Sequence, residues 1–233
     1  MYKRTMRFIF SLVIAALCCG NLHAQAIPDA GRFLPGPPAE TSVDYIKDYL
    51  QYAWGKTMRS TELGTQAQND FNAKAPYYLN AFSEAIGVTL SSAETPYIAE
   101  LFEYCMEYGN KSIKQAKSSF SFFRRPYVRF GEGTIIPEEE ASHVNSSSYP
   151  SFHTLAGWAD ALLLTELNPA RSEQILKRGF EYGQSRVIAG YHWQTDVDAA
   201  RIQASAMFAR LHANPEFNKE LEEVKKELMR FAK

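Results

Sequence analysis

The chain of 233 residues is poor in cysteine, and beyond its first segment it has neither a long apolar run nor a strand-like alternation. Cys18 and Cys19 lie in that segment, so Cys105 is the one thiol left if the segment is removed. One thiol excludes an internal disulfide, so an ordinary hydrophobic core must stabilise the fold. No later stretch approaches the roughly 20 apolar residues of a membrane span, which argues against insertion in a bilayer.

The first segment has the features of a secretory signal peptide. Three basic residues precede an apolar run from Phe8 to Cys19, and Ala24 offers a small residue for cleavage. We therefore predict a signal peptide at residues 1–24 and a periplasmic protein, with an uncleaved anchor as the alternative. Its removal leaves 22 basic and 26 acidic side chains, a net charge of −4, which gives no support for a nucleic-acid or anionic-membrane surface.

The rest of the chain is helical in pattern. Apolar residues recur at three- and four-residue steps, as half-buried helices require. We predict an extended Pro-rich arm at 25–40 and one all-α domain, a helical bundle, at 41–233. The predicted helices lie at about 42–54, 61–72, 96–125, 151–167, 169–188, 194–212 and 216–231, with a loop at 127–149. Pro126 is expected to end the third of them.

Two blocks of residues can hold and cleave a phosphate ester. Ser151 is placed to cap a helix, so the free N–H groups of the first turn would form an anion site beside His153. Arg186, His192 and Asp196 follow around the next helix junction, and four residues correspond to one helical turn. Asp196 can therefore orient His192 and leave its second nitrogen as a nucleophile.

Both blocks also have plainer interpretations. Ser151 can be only a helix cap with His153 on the surface, and His192 and Asp196 can be a structural pair. A metal site built from His153, His192 and Asp196 is a further alternative. The nearby cations argue against a divalent ion by charge repulsion.

These cations are Lys117, Arg186 and the pair Arg124-Arg125 before Pro126. Together the blocks resemble the signature of the class A nonspecific acid phosphatases of bacteria, a secreted branch of the superfamily that also holds the type 2 phosphatidic acid phosphatases and the vanadium haloperoxidases. The family pattern is Lys, six residues, Arg-Pro; then Pro-Ser-Gly-His; then Ser-Arg, five residues, His, three residues, Asp. The last block matches completely from Ser185 to Asp196, and similar segments extend over nearly the whole mature chain.

The resemblance implies an all-α, metal-independent phosphomonoesterase that works through a phosphohistidine, with phosphotransferase side activity. His192 would be the nucleophile, Asp196 its orienting carboxylate and His153 the general acid and base. The phosphate would be held by Lys117, Arg125, Ser151, Phe152 and Arg186. We expect a homo-oligomer that acts on small phosphomonoesters, with no cofactor, no nucleic acid and no membrane insertion.

Two departures from the family pattern leave questions open. Phe152 replaces the glycine, so its ring lines the pocket, blocks the anion site or is a packing detail. Seven residues rather than six separate Lys117 from Arg125, while Arg124 keeps the spacing but lacks the following proline, so Arg124 remains the alternative phosphate ligand. A vanadate-dependent peroxidase and a phosphate-binding protein without turnover are the alternative functions.

Overall fold

The computed structural model describes residues 27–72 and 75–229, so the predicted signal peptide lies outside the described residues. In this part of the chain there are ten α-helices and no strand, which confirms the predicted all-α fold. The α-helices are α1 Val43–Met58, α2 Glu62–Asn69, α3 Ala75–Ile86, α4 Pro96–Ser119, α5 Pro126–Phe130, α6 Glu140–His143, α7 Phe152–Leu167, α8 Ser172–Ala189, α9 Gln194–His212 and α10 Pro215–Leu228. Short 3-10 helices occupy Ala30–Arg32, Pro137–Glu139 and Pro169–Arg171.

Side-chain caps begin several of these helices where the sequence predicts them. The Ser42 hydroxyl accepts a hydrogen bond from the Tyr45 N–H at 3.2 Å, and the Thr61 hydroxyl accepts one from the Leu63 N–H at 3.2 Å. Each cap satisfies an N–H group that has no partner within its own helix. Ser151 caps α7 in the same way, through the Thr154 N–H.

The prediction that Pro126 ends the long helix is wrong. Helix α4 ends at Ser119, and Pro126 instead begins the short helix α5. The segment between them is extended because it pairs with a loop. The Phe123 N–H donates to the Ser147 hydroxyl at 3.2 Å, and the Phe123 carbonyl accepts from the Ser148 N–H at 2.7 Å. The predicted loop at 127–149 also contains α6 and most of α5, and α3 was not predicted.

Helices α7 and α8 pack closely and antiparallel, since only a 3-10 turn connects them. A Cβ atom at Gly157 would lie 2.4 Å from the Tyr182 ring, so α7 can approach α8 only with glycine at this position. In the same antiparallel register, His153 in the first turn of α7 lies level with Arg186 near the end of α8. The packing of these two helices thereby brings two predicted site residues together.

The described part of the predicted Pro-rich arm contains the 3-10 turn Ala30–Arg32 and lies against the body of the domain. Ala30 and Leu34 pack with Ala116 of α4, and the Tyr149 hydroxyl donates to the Pro35 carbonyl. Cys105 is buried in the core. None of the described helices is both long enough and apolar enough to cross a membrane.

Candidate active site

A four-residue turn between α8 and α9 brings His192 next to Arg186. Gly190 has a φ of +88°, a left-handed conformation that favours glycine, and it ends α8. The Arg186 carbonyl then accepts hydrogen bonds from the N–H groups of Tyr191 and His192, at 3.2 and 3.3 Å. Helix α9 begins at Gln194 and carries Asp196 in its first turn. Arg186, His192 and Asp196, which belong to the block that matches the family pattern completely, therefore meet at one junction.

His192 has a defined tautomer in this junction. Its Nδ1 lies 3.1 Å from the Asp196 Oδ2, while its Nε2 lies 3.0 Å from the Arg125 Nη1. A carboxylate accepts a hydrogen bond and a guanidinium donates one, so the proton is on Nδ1 and the lone pair is on Nε2. Asp196 is held in turn by the Ser148 hydroxyl and by the Trp193 N–H, the latter at 2.8 Å. Nε2 is the nitrogen available for nucleophilic attack.

Burial and charge keep His192 uncharged. Burial, together with the neighbouring guanidinium groups of Arg125 and Arg186 and the Lys117 ammonium, holds the pKa of His192 well below its usual range. Burial raises the pKa of Asp196 to about 7, although the hydrogen bonds from Ser148 and the Trp193 N–H act to lower it. These surroundings thus favour the neutral form of His192, whose Nε2 carries a lone pair.

Arg125 lies at the site and Arg124 does not. The Arg125 side chain is buried, and its Nη1 donates to the Tyr191 carbonyl at 3.0 Å as well as facing His192. The Arg124 side chain is exposed, and only its carbonyl is engaged, by the Trp193 Nε1–H at 2.8 Å. Because the chain is extended between α4 and α5, the extra residue after Lys117 causes no helical rotation of Arg125.

Arg186 is completely buried, and two of its nitrogens, Nε and Nη1, find no hydrogen-bond partner within the described residues. Its guanidinium lies over the rings of Phe71 and Tyr191, with its Cζ 4.7 and 5.3 Å from their centroids. Burial lowers the pKa of Arg186 to about 10, so it stays charged at neutral pH. A buried cation with free donors is set up to bind an anion.

Lys117 and Ser151 are the remaining residues predicted to bind phosphate, the first as a cation and the second as a helix cap. The Lys117 ammonium donates to the Ser147 carbonyl, and burial lowers the pKa of Lys117 to about 8. Ser151 is buried at the start of α7, and its N–H donates to the Asp196 carbonyl at 3.2 Å. This hydrogen bond ties the first turn of α7 to the first turn of α9.

His153 lies beside the aromatic ring of Phe71, a residue that the sequence analysis did not select. The His153 Nε2 lies 2.9 Å from the Phe71 carbonyl, which fixes the proton of neutral His153 on Nε2 and leaves Nδ1 for proton exchange. Burial and the Arg186 guanidinium hold the pKa of His153 well below its usual range. A bound phosphate dianion would counter the effect of Arg186 and raise that pKa.

The Phe152 ring packs against the core. It contacts a cluster that includes Ile113, Leu155 and Met207, on the side of α7 that faces α4. Its ring edge would lie 4.0 Å from a Cβ atom at Gly109. The ring therefore occupies apolar space, while the backbone N–H of Phe152 remains in the first turn of α7, where it has no partner within its helix.

Two further residues hold the groups predicted to be catalytic, and neither was predicted from the sequence. Ser148 donates to the Asp196 Oδ2 and its hydroxyl lies 3.4 Å from the His192 Nδ1. Asp48 of α1 is buried and accepts from both the N–H and the hydroxyl of Thr195, at 2.8 and 2.6 Å. Ser148 is near the Pro-Ser motif in sequence, which is a usable signal, whereas Asp48 lies far from every motif.

The side chains of the site are not arranged as metal ligands. No group of three or more His, Cys, Asp or Glu side chains suited to a metal ion occurs in residues 27–72 and 75–229. The three side chains weighed above as a metal site are therefore not such a group. His192 has its two nitrogens directed at Asp196 and at Arg125, and His153 directs Nε2 to a backbone carbonyl.

Known proteins are similar to this chain in sequence. The PAP2 superfamily profile matches residues 104–219, which include every predicted site residue. A non-specific acid phosphatase of Providencia stuartii is 41% identical over 97% of this chain and 95% of its own length. A non-specific acid phosphatase of Salmonella typhimurium is 34% identical over 98% of the chain and 93% of its own length, and an acid phosphatase of Zymomonas mobilis is 30% identical over 84% and 74%. With both the superfamily profile and near full-length relatives in agreement, this chain belongs to the bacterial non-specific acid phosphatases of the PAP2 superfamily.

Proposed function

We propose that the site hydrolyses small phosphomonoesters in two steps through a phosphohistidine at His192. The observation that carries this proposal is the state of His192: its Nδ1 proton is held by Asp196, and its Nε2 lone pair faces Arg125. Arg186 is nearby, and its Nε and Nη1 have no hydrogen-bond partner among the described residues. A neutral, oriented imidazole among cations is suited to attack a phosphorus atom whose oxygens those cations bind.

In the first step, Nε2 of His192 bonds to phosphorus and the phosphorus–oxygen bond to the leaving alcohol breaks. His153 gives a proton to that leaving oxygen. Its pKa is low in the empty site, and the negative charge of the bound ester raises it enough for His153 to carry this proton. Nδ1 is the atom that exchanges the proton, because Nε2–H is held by the Phe71 carbonyl.

In the second step, His153 takes a proton from a water molecule, the water oxygen bonds to phosphorus and the nitrogen–phosphorus bond breaks. Phosphate leaves the site, and His192 returns to its neutral form. An alcohol in place of that water would make the same site a phosphotransferase. Lys117, Arg125 and Arg186 stabilise the charge on the phosphoryl oxygens in both steps, with the first-turn N–H groups that follow Ser151. No step requires a metal ion.

The low pKa of His192 supports activity in acidic solution. A histidine with an ordinary pKa would be largely protonated below pH 6 and would lose its nucleophilic lone pair. Burial and three nearby cations lower the pKa of His192 and so oppose that protonation here. The basic and apolar residues at the start of the chain further support secretion to the periplasm, where the site would meet phosphomonoesters from outside the cytoplasm.

Rapid-quench labelling tests the intermediate. The wild-type protein is mixed with a phosphomonoester carrying ³²P and quenched in alkali, and we expect an acid-labile label on the peptide that contains His192. The His192→Ala variant should carry no label and lose more than about 10⁴-fold in turnover.

A matched control is His212→Ala. His212 pairs with Glu166 at 2.8 Å and takes no part in the site, so this variant should keep both label and turnover. Label that maps to a residue other than His192, or that persists in His192→Ala, would overturn the assignment of the nucleophile.

A further inference from the structure

Ser185 is the first residue of the block that matches the family pattern completely, yet neither step of the reaction uses it. Its side chain is buried near the end of α8, directly before Arg186. The Ser185 hydroxyl donates a hydrogen bond to the Asp70 Oδ2 at 2.7 Å, and it also lies 3.1 Å from the Glu181 carbonyl of its own helix. The contact with Asp70 spans 115 residues of the chain, so it joins α8 to a distant segment.

Asp70 follows the last residue of α2 and is almost completely buried. The Arg178 guanidinium donates to both of its carboxylate oxygens, to Oδ2 at 3.1 Å. Arg178 and Ser185 lie on the same helix, about two helical turns apart. Hydrogen bonds to a carboxylate are stronger than those between neutral groups, so Asp70 fixes the end of α2 against α8.

Phe71 comes next in the chain and contacts the groups predicted to be catalytic. Its carbonyl lies 2.9 Å from the His153 Nε2, and its ring centroid lies 4.7 Å from the Arg186 Cζ. Phe71 lies in the turn after α2, so its backbone is not part of a helix. The direction of its carbonyl therefore depends on how the neighbouring Asp70 is held.

We propose that Asp70 and Ser185 are positioning residues for His153, because together they hold the Phe71 carbonyl against the His153 Nε2–H. This inference rests on the proposed function, in which His153 exchanges its proton through Nδ1. The hydrogen bond to the carbonyl gives the imidazole one tautomer and one orientation. Without it, the ring can turn or carry its proton on the other nitrogen, and proton transfer to the leaving oxygen becomes slower.

The loss of a proton donor differs in its kinetic effect from the loss of a phosphate ligand. A disturbed His153 slows methyl phosphate more than nitrophenyl phosphate, because a nitrophenolate departs with little help from an acid. A disturbed Arg186 would instead weaken the binding of both esters and of inorganic phosphate alike. The pattern of losses therefore distinguishes an action through His153 from an action through Arg186.

Steady-state kinetics of two variants test the proposal. In Asp70→Asn, kcat/KM should fall about 30-fold for methyl phosphate and no more than about threefold for nitrophenyl phosphate. Ser185→Ala should show the same contrast at a smaller size, with a loss of about fivefold for methyl phosphate alone. Inhibition by inorganic phosphate should stay within about twofold of wild type in both variants, because Arg186 is kept.

Ser112→Ala is the matched control. Ser112 is a buried serine on α4, and its hydroxyl accepts a hydrogen bond from the Gln203 side chain at 2.8 Å. The control therefore removes a buried hydroxyl of the same kind away from His153, and it should leave the rates for both substrates in their wild-type ratio. Ser185→Ala decides the question by itself if Asp70→Asn fails to fold.

Nitrogen NMR of histidine side chains tests the contact without any substrate. The His153 signals, identified by their absence from His153→Ala, should show the Nε2–H tautomer in wild type and in Ser112→Ala, and both tautomers in Asp70→Asn and Ser185→Ala. Equal losses for the two esters, weaker inhibition by phosphate, or an unchanged tautomer in Asp70→Asn and Ser185→Ala would overturn the proposal. Equal losses for the two esters in His153→Ala itself would instead contradict the proposed function.

Discussion

Arg186 and Asp160 are both completely buried charged residues with atoms that lack hydrogen-bond partners among the described residues, yet their surroundings differ. Arg186 lies at the end of α8, near Arg125, and stays charged with a pKa of about 10. Asp160 lies in the middle of α7, which the hydrophobic core surrounds, and burial raises its pKa well above the usual range. Asp160 can take up a proton and become neutral, whereas Arg186 keeps its charge at any physiological pH.

The comparison shows when a partnerless buried charge indicates a ligand. A buried carboxylate that no cation stabilises lowers the stability of the folded state. Protonation of the carboxylate reduces this destabilisation. A buried guanidinium stays charged instead. If it lies among other cations and has donors without partners, it needs an anion to complete its hydrogen bonds. On this argument substitution of Arg186 should reduce activity, whereas substitution of Asp160 should change stability and leave activity unchanged.

Among the substitutions that test this comparison, Arg186→Met should have the largest effect. This change removes a phosphate donor, so kcat/KM for a phosphomonoester should fall about 10²- to 10³-fold. The free energy of unfolding should stay the same or rise, because a buried partnerless charge is replaced by an apolar side chain. Steady-state kinetics and urea unfolding of the purified variant measure both quantities.

Arg178→Met on the same helix is the control for this variant. Arg178 donates to both carboxylate oxygens of Asp70, a buried pair, so its loss leaves Asp70 without that partner and should cost about 3–5 kcal/mol of stability. A destabilisation of similar size in Arg186→Met, with activity kept, would reverse the roles that the comparison gives to these arginines.

Part of the site could be predicted from the sequence because it is local. His192 and Asp196 are one helical turn apart, and Ser151 caps the helix that carries His153, so short-range spacing was enough to select them. Arg125 was preferred to Arg124 for its proline, and the structure places Arg125 beside His192. The assumption of a continuous helix to Pro126 was wrong, because the chain is extended before α5 through hydrogen bonds to residues of a distant loop.

Other parts of the site arise only from tertiary contacts. The Phe71 carbonyl fixes the tautomer of His153 from 82 residues away, and a backbone atom leaves no signature in a sequence. Asp48 holds the start of α9 from 147 residues away, and nothing in the pattern of α1 sets it apart from an ordinary surface carboxylate. Side-chain types suggest the reaction here, while the groups that orient those side chains appear only with the fold.

A smaller effect, on stability alone, is expected for Asp160→Asn. The folded pKa of Asp160 is raised, so its contribution to stability is fully present below the ordinary pKa near 4 and is lost as pH rises towards the folded value. Asp160→Asn removes this dependence. Its stability relative to wild type should therefore improve by up to about 1.4 kcal/mol for each pH unit by which the pH rises from the ordinary pKa towards the raised folded pKa.

Chemical unfolding at several pH values measures this slope, with phosphomonoester hydrolysis as the second readout. Turnover by Asp160→Asn should stay within about twofold of wild type, because Asp160 binds no residue of the site. The exposed Asp198 provides a control, since Asp198→Asn should keep the wild-type pH dependence. A slope that does not differ between Asp160→Asn and Asp198→Asn would mean that Asp160 is already stabilised in its charged form, and the contrast with Arg186 would no longer hold.

The smallest of the three effects is expected for Ser148→Ala. This change removes one of the hydrogen bonds to the buried Asp196 carboxylate, whereas the Asp160 carboxylate has none within the described part of the chain. Asp196 is as deeply buried as Asp160, but Ser148, His192 and the Trp193 N–H all donate to its Oδ2. Loss of one hydrogen bond of about 1.5 kcal/mol should lower kcat about tenfold through poorer orientation of His192. KM should be unchanged, because Ser148 is not among the residues that bind phosphate.

Ser148→Thr keeps the hydroxyl and should recover most of the lost rate. An equal loss in Ser148→Ala and Ser148→Thr, or a change confined to KM, would show that Ser148 acts through packing or binding and does not orient the Asp196–His192 pair.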